Sequence, residues 1–363
     1  MTMRPTQIAA LLALAAGAAD AQALRVMTWN INGAEATPAA LEENARGALA
    51  ELGPVDVVML QEVISQDQVA AIARGFGLEH HAISDFSPPP SITRSPFSSL
   101  EVAVISRTPI LGAAEWDPTG RDPNGDGFAP RVSDAAAPVE ELPIDVTFAD
   151  DTPDRGFLRV DLDGELSVYA VHWKSSRGES CNAADLLNAL QREEQAEGLA
   201  QDLARRLSDP ARTVIVGGDF NIQAPGRAAR VGMDLGSDCA PAGSCDGVCG
   251  ADGLDGYDDS ISALLAGVSG ARLLSADLDN TFIGRFFPGG AIDHLVVAGA
   301  RAGAFQLAST PVVNGSSFFG SDHRPVLATA SDGETDGSDR ARIRALIDEM
   351  RARLTELEAL IGR

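Results

Sequence analysis

The chain contains 363 residues, of which 45% are hydrophobic and 22% are charged, and its formal net charge is -24. This length suits one large domain with a terminal extension. The acidic charge is the main argument against a nucleic-acid substrate, because nonspecific contacts with phosphate normally come from lysine and arginine. It excludes a surface that is basic overall, so a phosphate-binding groove has to be built from local basic residues.

Residues 1–23 have the three parts of a secretory signal peptide. Arg4 lies in a short basic start, an apolar stretch runs from Ile8 to Ala19, and residues 21–23 (AQA) form a small-residue cleavage site. The apolar stretch is shorter than the roughly 20 residues that span a bilayer, and no other segment is a transmembrane candidate. The sequence therefore predicts a secreted or periplasmic protein that is not stably inserted in a membrane, with a mature chain that begins near Leu24.

Several apolar segments end in polar residues, which is typical of buried strands that carry functional groups at one end. The segments are 25–32 (RVMTWNIN), 55–62 (VDVVMLQE), 166–174 (LSVYAVHWK) and 214–221 (VIVGGDFN). Two more, 291–297 (AIDHLVV) and 320–326 (GSDHRPV), add Asp293, Asp322 and His323. A single aspartate after a strand is more often a cap or turn residue. The whole ordered set, however, predicts a shared cleft.

Helical segments separate these strands along the chain, at Pro38–Leu52, Gln66–Phe76 and Asp185–Leu207. Strands that alternate with helices indicate central sheets covered by helices. We therefore predict an α/β fold over residues 24–330, a four-layer α/β sandwich with two central mixed sheets.

The ordered motifs WN, QE, GDFN and SDH resemble those of the endonuclease/exonuclease/phosphatase superfamily, a group of metal-dependent phosphoesterases with a deoxyribonuclease I-like fold. The resemblance extends over roughly residues 25 to 330 of the 363. It implies that Asn30, Glu62, Asp219, Asn221, Asp322 and His323 are functional residues. It also implies that Asp293 orients His323.

A divalent metal site follows from the carboxylates and amides of this set. Glu62 and Asp322, helped by Asn30 or Asn32, offer the hard oxygen ligands that Mg²⁺ prefers. Mn²⁺ is a second candidate ion. The sequence thus predicts a magnesium-dependent phosphoesterase.

The remaining roles concern the phosphate and the attacking water. His323 is predicted to be the general base or the electrostatic partner of the phosphate, with Asp293 holding its tautomer. Asp219 and Asn221 are predicted to position the water, and His172 to donate to the phosphate or the leaving group. The alternative for His172 is a satisfied core histidine, and His294 is predicted to be structural, on the opposite face of its strand.

Basic residues near these motifs are the candidates for phosphate contact. Lys174 is the only lysine among 28 basic residues, and we assign phosphate binding to it and to Arg177. The alternative is that a lone lysine at this position is a product of chance. Further arginines near the motif strands could line a groove, namely Arg94, Arg107, Arg155, Arg159, Arg227, Arg230 and Arg285.

Two features indicate further stabilisation. Asp122, Asn124 and Asp126 match the alternating ligands of a calcium loop, although position twelve is Ser133 rather than glutamate, so an exposed turn is the alternative. An exported chain also favours disulfides. We predict two bridges among the cysteines, one of them tying the first to the loop that holds the others: Cys181, Cys239, Cys245 and Cys249.

The C-terminal end is predicted to lie apart from the sandwich. Residues 331–340 (SDGETDGSDR) read as a polar linker. In residues 341–363, apolar side chains recur with alternating spacings of four and three, at Ile343, Ile347, Met350, Leu354, Leu357 and Ile361. This pattern predicts a helix that forms a coiled coil and a homo-oligomer. Docking of its apolar face on the parent domain is the alternative.

The function predicted from the sequence is hydrolysis of phosphodiester bonds in extracellular DNA, and RNA is a further substrate to test. The HWKSS segment at 172–176 resembles the corresponding stretch of secreted bacterial nucleases. One alternative is a phosphodiesterase or phosphatase acting on sphingomyelin or a small phosphate ester. It would require an exposed apolar loop, for which residues 86–97 (FSPPPSITRSPF) are the candidate. A noncatalytic binding module is the other alternative, and the complete set of site residues argues against it.

Overall fold

The computed structural model describes residues 23–87, 90–118, 129–144, 146, 155–163, 165–175, 183–225, 260–284 and 290–331. Almost all of them belong to one compact unit, Arg25–Thr329. Several predictions fall outside the described residues: the signal peptide, Arg177, the calcium loop, the four cysteines, nearly all of the linker, and the tail helix.

Six strands form the first mixed sheet: β1 (Leu24–Asn30), β2 (Val57–Val63), β3 (His80–Ile83), β4 (Glu101–Ser106), β6 (Arg131–Val132) and β13 (Val326–Ala330). Their spatial order is β13-β1-β2-β4-β3-β6. The neighbouring strands β1 and β2 are parallel, and their pairing places Asn30 opposite Gln61. The end of β2 therefore delivers Glu62 next to Asn30.

Seven strands form the second mixed sheet: β5 (Ile110–Trp116), β7 (Val139–Glu141), β8 (Phe157–Leu162), β9 (Leu166–His172), β10 (Thr213–Asp219), β11 (Arg272–Leu273) and β12 (Asp293–Gly299). Their order is β11-β12-β10-β9-β8-β5-β7. Strand β10 is parallel to β9 and antiparallel to β12, so Asp219 lies between His172 and Asp293.

The helices begin and end at recognisable capping residues. Helix α1 (Pro38–Leu52) begins after Thr37, whose side chain accepts a hydrogen bond from the Ala40 N–H. Helix α2 (Gln66–Phe76) begins after Ser65 and ends at Gly77, which has the left-handed conformation that favours glycine. The others are α3 (Pro90–Thr93), α4 (Ala183–Arg206) and α5 (Ser260–Gly267). Across the described ranges, no helix is both long and apolar enough to cross a bilayer.

Two hydrophobic clusters produce the four layers. The first packs α1 and α2 on the six-stranded sheet around Trp29, and the second packs α4 and α5 on the seven-stranded sheet around Trp173. The inner faces of the two sheets approach closely, because a Cβ atom at Gly217 would lie 2.6 Å from the Met59 Sδ. The predicted α/β sandwich with two mixed sheets is thus confirmed.

The last two motif segments lie differently from the prediction of polar residues at C-terminal strand ends. Asp293 is the first residue of β12, and Asp322 and His323 precede β13. They still reach the site, because β12 runs antiparallel to β10 and its N-terminal end lies at the same edge of the sheet. The sequence analysis did not identify seven of the described strands, namely β3, β4, β5, β6, β7, β8 and β11.

Candidate active site

Asp219, at the end of β10, is the centre of the candidate active site. Its Oδ2 lies 3.1 Å from the Asn30 Nδ2, 3.6 Å from the His172 Nε2 and 3.8 Å from the His323 Nε2. Its Oδ1 accepts a hydrogen bond of 2.9 Å from the Asn221 N–H. Side chains from both sheets therefore meet at one buried carboxyl group.

The six-stranded sheet contributes two half-exposed carboxylates, each held by an asparagine amide. Asn30 Nδ2 donates to Glu62 Oε1 at 3.1 Å, and Asn32 Nδ2 donates to Asp322 Oδ1 at 3.3 Å. The Asn30 Oδ1 accepts from the Asn32 N–H, so Asn30 faces the carboxylates with its NH₂ group. Glu62 and Asp322 are consequently the partly solvent-accessible oxygen donors of the site.

Left-handed backbone conformations occur at three of these residues. The φ angle is 50° at Asn32, 62° at Glu62 and 55° at Asn221. Such angles are uncommon outside glycine and cost free energy, most of all for glutamate, which lacks the local hydrogen bonds that favour asparagine there. At Glu62 the conformation coincides with a register shift between Gln61 and Val63 in the pairing of β2 with β4. The bulge turns this side chain into the cleft.

The neighbouring loop is built to accept this bulge. The Gly33 N–H donates to the Glu62 carbonyl at 3.0 Å. A Cβ atom at Gly33 would lie 2.7 Å from the same carbonyl oxygen, so only glycine permits the contact. The backbone of Glu62 is therefore fixed from the side of β1.

His323 and Asp293 form a buried pair on the other side of Asp219. The His323 Nδ1 lies 2.9 Å from Asp293 Oδ2 and 3.1 Å from Oδ1. The loop that carries His323 is held by Ser321, whose hydroxyl donates to the Asn30 carbonyl and accepts from the His323 N–H. The pairing of His323 with Asp293 fixes the orientation of the imidazole ring and directs Nε2 toward Asp219. The predicted role of Asp293 in orienting His323 agrees with this geometry.

Burial and charge shift the pKa values of these groups strongly. Although burial lowers it, the carboxylates of Asp293 and Asp219 raise the pKa of His323 to about 10. Burial raises the pKa of Asp219 to about 7, against the opposing effect of the His323 charge. Burial, with the nearby Arg155, holds the pKa of His172 well below its usual value. The site thus combines a cationic with a neutral imidazole at neutral pH.

Asp219, Asp293 and His323 bring three ligand atoms within 4.8 Å of one another, the arrangement among the described residues that could hold a metal ion. However, all three side chains are buried, and the His323 Nδ1 already bonds to Asp293. His323 thus contacts Asp293 through Nδ1 and faces Asp219 through Nε2, an arrangement suited to proton transfer. The half-exposed Glu62 and Asp322 are better suited to a hydrated cation, which keeps several waters.

His172, at the end of β9, faces the same cleft, because its Nε2 lies 3.9 Å from Glu62 Oε1. His172 therefore lies among the candidate site residues, and its assignment to the phosphate or the leaving group stays a prediction. Lys174, two residues on, is half-exposed. His294 is structural as predicted: its Nδ1 lies 2.8 Å from the Ser275 Oγ and its Nε2 lies 2.8 Å from the Ile222 carbonyl.

The predicted groove of arginines is wrong in part. Arg107 pairs with Asp56, and Arg159 is 5% exposed and forms two hydrogen bonds with Asp202. Arg155 uses its Nη1 on the backbone carbonyl of Trp173. Only Arg94 of the described arginines in that set is exposed without an ion pair shown to a carboxylate. Arg159, which the sequence suggested as a groove residue, instead forms a buried ion pair with Asp202 within the fold.

The sequence analysis did not assign Ser321 and Phe282 to the site. Ser321 ties the SDH segment to β1, and its only signal was its place beside Asp322. The Phe282 ring makes an edge contact with the His323 imidazole, with 4.9 Å between ring centroids. No local pattern identified Phe282, because an isolated bridge between residues 282 and 323 creates the contact.

Comparisons with known proteins agree with this architecture. The model of the Endonuclease/Exonuclease/phosphatase family matches residues 27–323. The chain is similar to the solved 3'-5' exonuclease NExo of Neisseria meningitidis (16% identity, 84% of this chain and 98% of that one, TM-score 0.50). It is also similar to a solved variant of the 3' phosphatase NExo from Neisseria bound to product DNA hairpin (17% identity, 85% and 99%, TM-score 0.50). None of the curated proteins compared matches the chain.

Proposed function

Because the chain belongs to the endonuclease/exonuclease/phosphatase family, whose model matches residues 27–323, we propose that it is an exported, divalent-metal-dependent phosphodiesterase that cleaves DNA. The observation that carries the proposal is the arrangement around Asp219. Two buried histidines lie within 3.8 Å of it, and the partly exposed Glu62 shares with it a hydrogen bond from the Asn30 amide.

The donor set fits a divalent cation that prefers oxygen ligands. Glu62 and Asp322 would hold the ion, since each is partly exposed and each has one oxygen oriented by an asparagine amide. Asn32 lies beside Asp322, and Asn30 would act through its hydrogen bond to Glu62. A bound cation there would supply charge neutralisation for the phosphate group.

The histidines then contact the phosphate. His323 presents Nε2 to the cleft with its ring oriented by Asp293, and this protonated nitrogen donates to a phosphate oxygen. His172 presents its own Nε2 from the opposite strand and donates to a second oxygen or to the leaving group. Both rings lie in strands or loops that the core holds rigid, so little reorganisation is needed when substrate binds.

Asp219 and Asn221 are assigned to the attacking water. Asp219 is buried and its pKa is raised to about 7, which makes it able to accept a proton near neutral pH. Asn30 and the Asn221 N–H hold both of its oxygens. The carboxyl group is therefore oriented before substrate arrives. The water oxygen forms a bond to phosphorus while its proton passes to Asp219, the P–O bond to the leaving group breaks, and the leaving oxygen takes a proton from His172.

DNA is the preferred substrate in this proposal. Lys174 and Arg177 follow directly on the strand that ends in His172 and supply basic groups for the neighbouring phosphates. The resemblance of 172–176 to secreted bacterial nucleases supports the same choice, and the N-terminal signal pattern supports export. N-terminal sequencing of protein recovered from the medium or periplasm would test the export proposal, with Leu24 as the expected first residue.

One observation favours a second candidate, a lipid phosphodiesterase. In the loop between β3 and β4, Ile92 is 60% exposed and Phe97 is 57% exposed. Glu101, where this loop ends, pairs with Val63, so the loop lies at the edge that carries Glu62. Phe86, which was expected to belong to the same exposed surface, is buried.

The proposal is tested with a panel of substrates at equal enzyme concentration: supercoiled plasmid, single-stranded RNA, sphingomyelin vesicles and bis(p-nitrophenyl) phosphate. We expect nicking of the plasmid with Mg²⁺ and the highest kcat/KM on DNA. Preferential cleavage of sphingomyelin, lost on Ile92→Ser and Phe97→Ser substitution, would transfer the chemistry to the lipid substrate. Binding of DNA without cleavage of any substrate would indicate the noncatalytic alternative.

A further inference from the structure

The segment after β9 leaves the strand, yet the backbone N–H and carbonyl groups of Trp173 and Lys174 all hydrogen-bond to other protein groups. The Trp173 N–H donates to the Asp219 carbonyl, and the Trp173 carbonyl accepts from Asn221 Nδ2 at 3.0 Å and from Arg155 Nη1 at 3.0 Å. A loop normally satisfies such groups with water. The segment of residues 172–174 is instead held by protein groups on several sides.

Helix α4 provides the contacts at Lys174. The Lys174 N–H donates to Gln195 Oε1 at 2.9 Å, and the Lys174 carbonyl accepts from Arg192 Nη1 at 2.9 Å. Positions 192 and 195 lie one turn apart and therefore point to the same side of the helix. Gln195 is 1% exposed and Arg192 is fully buried.

Gln195 also joins this segment to the strand beside it. Its Nε2 donates to the Arg155 carbonyl at 2.9 Å, while Arg155 Nη1 reaches back to the carbonyls of Trp173 and His172. One amide thus connects the residue before β8 with a residue after β9. Burial of an amide and a guanidinium is costly unless their hydrogen bonds are made, and here those bonds go to the backbone that carries His172 and Lys174.

We propose that Gln195 and Arg192 are positioning residues that hold segment 172–174 so that His172 and Lys174 meet the phosphate. The inference rests on the proposed function, since it assigns these two residues to the same site. Neither touches the reacting atoms. They restrict the conformational freedom that an unsupported strand end would have. This matters because small displacements of catalytic groups lower the reaction rate.

The test compares Gln195→Leu with Gln191→Leu in the full-length protein. Gln191 is a buried glutamine of the same helix, and within the described part of the chain its Oε1 accepts no hydrogen bond. We expect Gln195→Leu to lower kcat on plasmid about 10- to 100-fold and to speed amide hydrogen exchange of the peptide containing residues 172–175. Gln191→Leu should change neither.

A double-mutant cycle with Lys174→Met separates positioning from general destabilisation. If Gln195 acts through this segment, its loss should cost less in the Lys174→Met background than in the wild type. Gln195→Glu keeps the acceptor for the Lys174 N–H but loses the donor to Arg155, so its effect should be smaller than that of Gln195→Leu. It also serves as the folded variant if Gln195→Leu fails to fold.

Two results would overturn the inference. One is a kcat of the Gln195 variants equal to that of Gln191→Leu. The other is a double variant whose fold-loss in kcat equals the product of the losses of Gln195→Leu and Lys174→Met. Failure of the proposed function is distinguishable, because it appears as a wild-type protein that cleaves no phosphodiester. In that case amide hydrogen exchange of residues 172–175 still tests the positioning inference. Exchange rates in Gln195→Leu equal to those of the wild type would contradict it.

Discussion

Glu62 and Asp322, the carboxylates from the six-stranded sheet, are partly exposed, whereas His172, Asp219 and Asp293 come from regular, buried strands of the seven-stranded sheet. We call these two groups the exposed half and the buried half of the site. Glu62 and Asn32 have left-handed φ angles, and Glu62 lies at a bulge. Asp219, His172 and Asp293 occupy matched positions in three hydrogen-bonded strands.

The difference corresponds to the chemistry assigned to each half. A cation that keeps part of its water shell needs ligands at the surface, and turning a strand residue outward requires a bulge. Proton transfer and phosphate contact benefit from a dry, rigid environment, because electrostatic interactions are stronger where water is excluded. In this account the exposed half therefore holds the ion, and the buried half takes part in proton transfer and phosphate contact.

The largest expected effect is the loss of the His323 imidazole, which lies in the loop before β13 and is buried against Asp293 and Asp219 of the buried half. His323→Gln should lower kcat about 1,000-fold, because the cleft loses its oriented donor to phosphate. His294→Gln is the matched control, since His294 is equally buried but bonds to Ser275 and the Ile222 carbonyl. Steady-state plasmid nicking should show the loss only at His323, with His294→Gln lowering the melting temperature. Equal losses of kcat in both variants would contradict the separation of roles.

The exposed half is tested by Glu62→Gln, which removes the charge and keeps the side-chain shape. We expect a loss of about 100-fold in kcat/KM and a higher Mg²⁺ concentration for half-maximal rate. Glu165→Gln is the control, because Glu165 has a similar φ angle of 59° in an exposed turn. Unfolding in urea should give unchanged stability for both variants. An unaltered Mg²⁺ dependence in Glu62→Gln would remove this residue from the metal site.

The regular strands of the buried half leave no room at Gly218. A Cβ atom there would lie 2.1 Å from the Val171 carbonyl oxygen, so Gly218→Ala must push β10 away from β9. We expect a loss of about 3 kcal/mol in the free energy of unfolding, measured with urea. Gly303→Ala meets nothing within 4 Å and should be close to neutral. A stable Gly218→Ala protein would show that the pairing of these strands tolerates a shift.

The smallest effect concerns Glu101, next to the exposed half. Burial raises its pKa to about 8, against hydrogen bonds from Ser84 and from the N–H groups of Phe86 and Ser87. The folded state therefore binds a proton at Glu101 that the unfolded state has released above pH 4.5. This lowers the free energy of unfolding as pH rises from about 4.5 to about 8, and the contribution levels off above that range.

Glu101→Gln should flatten this decline, because an amide does not titrate. Urea unfolding at pH 5, 6, 7 and 8 measures the slope in both proteins. Parallel slopes for variant and wild type would show that Glu101 is ionised in the folded protein. Activity should be retained in the variant, since Glu101 makes no contact shown with the site residues.

Much of the fold could be predicted because buried strands and capped helices leave local signals. Helices α1 and α2 have the predicted bounds, with Thr37 and Ser65 as their N-terminal caps, and the GDFN strand is buried as its apolar run required. The short strand β3 has no such signal, because its four residues form a strand only by pairing with β4 and β6.

The membership of the site could be predicted, but its contacts could not. The motifs identified Asp219, Asp293 and His323, whereas nothing local indicated that Asn30 would face Glu62 with its NH₂ group. The role of Arg159 was misjudged for the same reason, since its partner Asp202 lies on another element. Contacts between distant segments follow from the packing of the two sheets, which the local pattern does not encode.

The central claim is that a metal ion held by Glu62 and Asp322 acts on DNA together with His323, the histidine that pairs with Asp293. The most direct measurement is the initial rate of plasmid nicking by the wild type and His323→Gln, each with Mg²⁺, with chelator, and with Mg²⁺ restored. The account predicts nicking by the wild type that chelator abolishes and Mg²⁺ restores, and almost none by the variant under any condition. Nicking that survives chelation, or that persists in His323→Gln at the wild-type rate, would contradict it.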